Sequence, residues 1–208
     1  MRTKTKALVL ALCAVLLVVT TVFVTMAYLT STTDVVTNTF TVGQVNITLD
    51  EAKVDEYGNP VDEDGKHVEL ASAPRQTGNE YKLIPGHTYT KDPTVNVDSS
   101  SEDCYLFVKI ENGLGTDGTI AGLETNGWAL VDQPTNIYVY KGTGTDGKLA
   151  VSKNAKIKVF DTFTFGEKAD PNNYDTATKN AKIIVTAYAI QADGLSEKTP
   201  AEIWALFK

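Results

Sequence analysis

Hydrophobic positions fall into two regimes along this chain. Residues 7–19 are an unbroken apolar run behind Arg2, Lys4 and Lys6, whereas from Val45 onward apolar and polar side chains alternate. Val45, Ile47 and Leu49 alternate with Asn46, Thr48 and Asp50, the two-residue period of a strand with one buried face. Phe40 and Val42 extend that pattern upstream, and Gly43 between them and Val45 predicts a bulge that switches the buried face. Thr94, Val95 and Val97 predict a strand, with Pro93 near its start, where a missing backbone donor is tolerated.

The strongest strand signal covers residues 104–110. Cys104, Leu106, Val108 and Ile110 share one face and Tyr105, Phe107 and Lys109 the other. Both faces are largely apolar, which predicts a central strand covered on both sides, with a second sheet against one of them. Trp128 to Val131 and Ile137 to Tyr140 flank Pro134, Thr135 and Asn136 and read as a hairpin. Residues 159–165 predict a further strand, with Phe163 and Phe165 on one face. Residues 181–191 predict another, alternating Ile183, Val185, Ala187 and Ala189 with Ile184, Thr186, Tyr188 and Ile190.

Between these strands lie turn-rich stretches. Residues 50–80 crowd Asp50, Glu51, Asp55, Glu56, Asp62, Glu63, Asp64 and Glu69 among turn signals at Gly58, Asn59, Pro60 and Gly65, and predict a solvated hairpin that varies freely. Residues 111–127 read as Gly- and Asn-rich turns, and residues 170–180 as a short helix or a loop. The tetrapeptide at 115–118 recurs at 144–147 with different flanks, which points to repeated turn chemistry rather than a duplicated domain. Thr199, Pro200 and Glu202 spell a helix start, with a capping residue, proline at the first helical position and glutamate three residues after the cap. Ile203, Trp204, Leu206 and Phe207 then give a short amphipathic helix an apolar stripe.

The amino-terminal run changes where the protein is expected to go. A basic start, an apolar core of 13 residues and the small-x-small exit Thr25, Met26, Ala27 describe a secretory signal peptide over residues 1–27, helical in its core, cut between Ala27 and Tyr28. The competing reading is a retained anchor, since residues 7–29 are long enough to span a bilayer of about 30 Å if the threonines are tolerated. Cys13 sits inside the run behind Leu12 and belongs to its core, not to a lipoprotein site. Cleavage would remove Arg2, Lys4 and Lys6, so the 19 basic residues become 16 against 26 acidic ones, a net charge of −10 where the whole chain carries −7. That balance argues against nucleic acid or anionic lipid as a partner, leaving the membrane only the uncleaved signal segment. The remaining 181 of 208 residues fit one domain, 28–208, and its single cysteine, Cys104, excludes an intrachain disulfide.

Candidate chemistry adds little. His67 and His87 are 20 residues apart, in expected turns, with no H-E-x-x-H, and a catalytic zinc ordinarily needs three protein ligands and a base. His67 and Glu69 would point to one side of a strand and offer at most a weak metal contact. The acidic excursion lacks the spacing of an EF-hand. Cys104 has no neighbouring base in sequence and reads as a buried thiol. No glycine-rich phosphate loop joins a strand to a helix. Trp128, Trp204 and the tyrosines read either as a carbohydrate platform or as core packing. No catalytic residue, metal ligand or cofactor is therefore assigned.

Four pieces in order carry a resemblance: Ala27, Tyr28, Leu29 and Thr30 at the exit; residues 38–47 (NTFTVGQVNI); Leu83, Ile84, Pro85 and Gly86, followed by Lys91 and Asp92; and residues 187–194 (AYAIQADG). Together these resemble the TasA/camelysin family of secreted bacterial proteins. The resemblance covers both ends and the middle of the mature chain, and leaves 50–80 and 111–180 undistinguished.

It implies a mainly β, jelly-roll-like antiparallel β-sandwich with a short carboxy-terminal helix, exported, trimmed by a dedicated signal peptidase and placed in the extracellular matrix or at the cell surface. It further implies a subunit of Gram-positive biofilm-matrix fibres, with other copies of itself as head-to-tail partners and matrix accessory proteins alongside. In such fibres the processed amino-terminal segment of one subunit pairs as a strand with the next. Here that segment is 28–40, with Tyr28, Leu29, Thr30, Val35, Val36, Thr39 and Phe40 as the candidate donor strand: threonine-rich, without proline or glycine, and freed only by cleavage. Folding back as the first strand of its own domain is the alternative for the same residues. A monomeric surface binding module or adhesin is the other function class left open. A camelysin-like metallo-endopeptidase is disfavoured by the two isolated histidines.

Overall fold

Strand β5 (Cys104–Asn112) runs through the middle of the molecule and has apolar side chains on both faces. The computed structural model describes residues 44–132, 135–143, 147–174 and 181–207. The remaining strands are β1 (Ile47–Ala52), β2 (Arg75–Gln76), β3 (Thr88–Thr90), β4 (Thr94–Val97), β6 (Gly118–Ala121), β7 (Trp128–Asp132), β8 (Ile137–Tyr140), β9 (Ala150–Val151), β10 (Lys156–Lys158), β11 (Thr162–Phe165) and β12 (Ile183–Gln191), followed by helix α1 (Pro200–Trp204). All strand pairings are antiparallel.

Three sheets result. The first has the order β10-β4-β1-β2, the second β3-β11-β6, and the third β12-β5-β8-β7, with β9 added against the start of β5. The first and third form the two layers of a β-sandwich. Val95 and Val97 of β4 lie in one buried cluster with Cys104, Leu106, Val108 and Ile110 of β5, and Ile47, Leu49, Ile183, Val185, Ala187 and Ala189 pack against it. Trp128 closes this core at 2% exposure, its indole N–H donating to the Lys158 carbonyl at 2.8 Å. The opposite face of β5 is covered by the carboxy-terminal segment: Tyr105, Phe107, Ile137 and Val139 cluster with Ile203, and Tyr188, Trp204 and Phe207 pack around them. Both tryptophans therefore serve packing. Of the two readings the sequence left open for them, core packing is the one their contacts support.

The small second sheet has its own aromatic core. Tyr89 stacks on Phe163 with ring centroids 4.7 Å apart, and Leu114, Phe165 and Ala169 complete the cluster. Ile120 and Ile183 pack against this cluster and against the main core as well, so the two are continuous.

Helix α1 starts as its sequence predicts. The Thr199 hydroxyl accepts from the Glu202 N–H while the Glu202 carboxylate accepts from the Thr199 N–H at 2.7 Å, a closed capping box. Ile203 is its buried residue, whereas Leu206 is 52% exposed and lies off the stripe expected for it. The predicted hairpin at 128–140 forms, with Trp128 opposite Tyr140 and a register shift between Leu130 and Asp132.

Several expectations need correction. Residues 50–80 are not a freely varying solvated hairpin: Ala52, Val54, Val61 and Ala73 are buried, bridges join Val54 to Pro60 and Val61 to His67, and Lys53 N–H donates to the Pro74 carbonyl at 2.8 Å. Within 111–127 the turns enclose a strand, β6, which pairs with β11. The strand expected over 159–165 begins only at Thr162, and a separate strand, β10, precedes it; Val159 and Phe160, both fully buried, are the corner between them. Pro171–Asn173 is one 3-10 turn capped by Asp170, and the rest of that expected segment, 175–180, lies outside the described residues. The signal peptide, its cleavage site at Ala27 and Tyr28, and the donor residues Leu29, Thr30, Val35, Val36, Thr39 and Phe40 also lie outside them.

Candidate functional site, a groove between two strand edges

Among the sheet edges open in the described residues, that of β12 and the outer side of β1 flank one groove. β12 pairs along its whole length with β5 and carries no strand on its other side. β1 pairs with β4 through Ile47 to Asp50, while on its outer side β2 reaches only Glu51 and Ala52. An unpaired edge presents a row of N–H and C=O groups that can template another strand. A groove of about 920 Å³ is lined by both strands, by Leu49, Asp50 and Glu51 of β1 and by Ile183, Ile184 and Val185 of β12. The segment 77–83 and Tyr174 form further parts of its wall. β1 is the first described strand, and residues 28–43, which precede it in sequence, lie outside the described residues.

The alternation of Ile184, Thr186 and their neighbours positions this edge. Ile183 and Val185 point into the cores and hold β12 on the body, which turns Ile184 outward at 39% exposure. One apolar side chain is thereby offered beside a bare backbone ladder.

A polar network lies at the end of β1, and its members Asp50, Glu51, Asn79, Tyr81 and Lys91 line the groove. Asp92, 6% exposed, accepts from the Ala52 N–H at 2.7 Å and from Arg75 Nη1 at 2.7 Å. Arg75 also donates from Nε to Asp50 Oδ1 at 2.9 Å, and Asn96 Nδ2 donates to Asp50 Oδ2 at 2.9 Å. Glu51, 4% exposed, is held between Lys91 Nζ at 2.5 Å and Asn79 Nδ2 at 2.9 Å. Burial, with the Glu51 and Asp92 carboxylates close by, pushes the Tyr81 phenol well above the ordinary tyrosine range, so it stays a neutral donor to the Thr90 carbonyl.

None of these polar residues was marked by the sequence as a unit. Glu51 reads there as one more solvated acid of the excursion. The usable signal was register: Ile47, Leu49 and Glu51 share one face of a strand, so the carboxylate continues a buried stripe and must find partners.

The histidines do not converge. His67 Nε2 lies 3.1 Å from Asp55 Oδ2 in the acidic hairpin, not beside Glu69, and His87 Nε2 donates to the Tyr57 carbonyl at 2.9 Å. Among the described residues no group of three His, Cys, Asp or Glu side chains is placed to hold a metal ion. Cys104 is fully buried between the sheets, and burial followed by the neighbouring Asp103 charge pushes its thiol up to about 11. No protein-family model, no curated protein and no solved structure matches the chain.

Proposed function

We propose that the chain is a secreted structural protein, the subunit of an extracellular matrix fibre of the kind its TasA/camelysin-like sequence pieces imply. After cleavage between Ala27 and Tyr28, residues 28–40 of one copy lie as a donor strand along the open edge of β12 in the next. The observation that carries this reading is that edge, nine residues long and without a strand partner among the described residues, whose first three residues line a groove that β1 also lines. Val35 and Val36 supply apolar anchors beside Ile184 and Leu49.

A tail and an acceptor edge on the same chain make a head-to-tail contact that does not close on itself, and such contacts propagate into a filament.

The test is assembly of the chain beginning at Tyr28. Electron microscopy should show filaments, and removal of residues 28–36 should leave soluble monomers of unchanged circular dichroism. Filaments formed equally well without those residues would refute the donor strand. A lone monomer at every concentration and salt, with a soluble ligand in the groove, would favour the binding-module reading instead.

A further inference from the structure

Lys91, Glu51 and Asn79 carry chemistry that neither assembly nor packing uses. One carboxylate bridges an amine and a primary amide: Glu51 Oε2 accepts from Lys91 Nζ at 2.5 Å and Oε1 accepts from Asn79 Nδ2 at 2.9 Å. The amine and the carboxylate are taken out of water, with side-chain exposures of 10% and 5%. The carbonyl oxygen of the same amide has two donors of its own, the Val54 N–H at 2.8 Å and the Gln76 side-chain amide. Asn79 Nδ2 is also held by the Ala52 carbonyl at 2.9 Å, and the Tyr81 ring lies 5.8 Å from Lys91 Nζ.

A nucleophile and a leaving nitrogen are thus gathered on one carboxylate that can relay protons, and the amide oxygen already has two donors. We propose that Lys91 and Asn79 become joined by an intramolecular isopeptide bond, formed without any enzyme once the chain has folded. Glu51 takes a proton from the Lys91 ammonium, leaving a neutral amine whose lone pair attacks Asn79 Cγ. The carbonyl electrons move onto Oδ1, where Val54 N–H and Gln76 hold the developing charge. Glu51 then passes its proton to Nδ2 and removes the second proton from Nζ. Collapse of the adduct breaks the Cγ–Nδ2 bond and expels ammonia, and the proton left on Glu51 passes to solvent. One C–N bond forms and one breaks, with no change of oxidation state and no co-reactant. The open groove beside the triad lets the ammonia leave.

One feature of the fold suits the step: the shared Glu51 carboxylate holds the amine and the amide on its two oxygens, which replaces a bimolecular encounter by an intramolecular one. The bond would staple the irregular wall segment at Asn79 to the chain just past β3, in a mature domain whose single cysteine excludes a disulfide. The inference rests on no part of the fibre reading.

Intact-mass and peptide spectrometry of the folded chain test it. The folded protein should be lighter than its sequence by one ammonia, and digestion should yield a branched peptide joining Asn79 to Lys91. Both signatures should vanish in Lys91→Arg, which keeps a cation for Glu51, and in Glu51→Gln, which keeps the shape but cannot relay a proton. A folded wild-type chain of full mass with separate Asn79 and Lys91 peptides would overturn the proposal. So would loss of a water in place of ammonia, or a branched peptide persisting in Glu51→Gln. The wild-type measurement decides even where a variant fails to fold.

Discussion

At Gly58 the backbone turns with φ of +83°, and a Cβ there would meet Tyr89 Cα and Thr90 N at 2.9 Å. That contact pins the acidic hairpin onto the aromatic core of the second sheet, where Tyr89 accepts from Ile84 N–H at 2.7 Å and donates to the Lys82 carbonyl at 2.5 Å. Gly58→Ala should therefore destabilise the fold by more than about 1 kcal/mol, from the strained φ and the clash together, read as a lower denaturant midpoint with unchanged slope. In the sequence Gly58 is a turn signal and no more, because nothing local announces that Tyr89 lies against it. Cys104 was legible, since its neighbours alternate over seven residues and leave the thiol no other face. Asn79 and Lys91 were not, because they come from irregular segments that leave no periodic trace, and of the triad only Glu51 had a signal, its register with Ile47 and Leu49.

At the scale of elements, the long strands and the helix start were readable, and the short strands were not. β5 and β12 have nine residues each of alternating side chains, and α1 has its cap, proline and glutamate in fixed order. β6 and β10 have four and three residues, built on glycine, threonine and lysine, and exist only because β11 and β4 offer them ladders. The cap of α1 makes a pH prediction. The Thr199 backbone N–H, then its hydroxyl, hold the Glu202 carboxyl below its ordinary value of 4.5. A carboxyl depressed in the fold contributes stability that is complete above that ordinary value and is lost as pH falls through the folded one. Helix docking, followed by the fluorescence of Trp204 against Tyr188 and Phe207, should therefore weaken below about pH 4.5, and less so in Glu202→Gln. The edge of β12 makes another prediction. Ile184→Lys places a charge beside the open ladder and should abolish assembly while the monomer's circular dichroism and melting stay near wild type.

For the whole molecule, the strand content was readable from alternation and the carboxy-terminal helix from its cap, the antiparallel sandwich came as an expectation of the resemblance, and the sheet order was not readable. Sequence spacing gives no hint that β1 pairs with β4 and β2 together, or that the first and twelfth strands end as the rims of one groove. Those are outcomes of closing two layers over a shared core, decided by contacts far apart in the chain. In the proposed reading the segment that precedes β1, which the sequence marks as extended and β-prone, is the donor, and fibre formation is an edge completed in trans. The most direct measurement is negative-stain electron microscopy, paired with size-exclusion chromatography, of the chain starting at Tyr28 against the same chain lacking residues 28–36. The account predicts filaments for the first and monomers for the second; monomers for both at high concentration, or filaments for both, would contradict it.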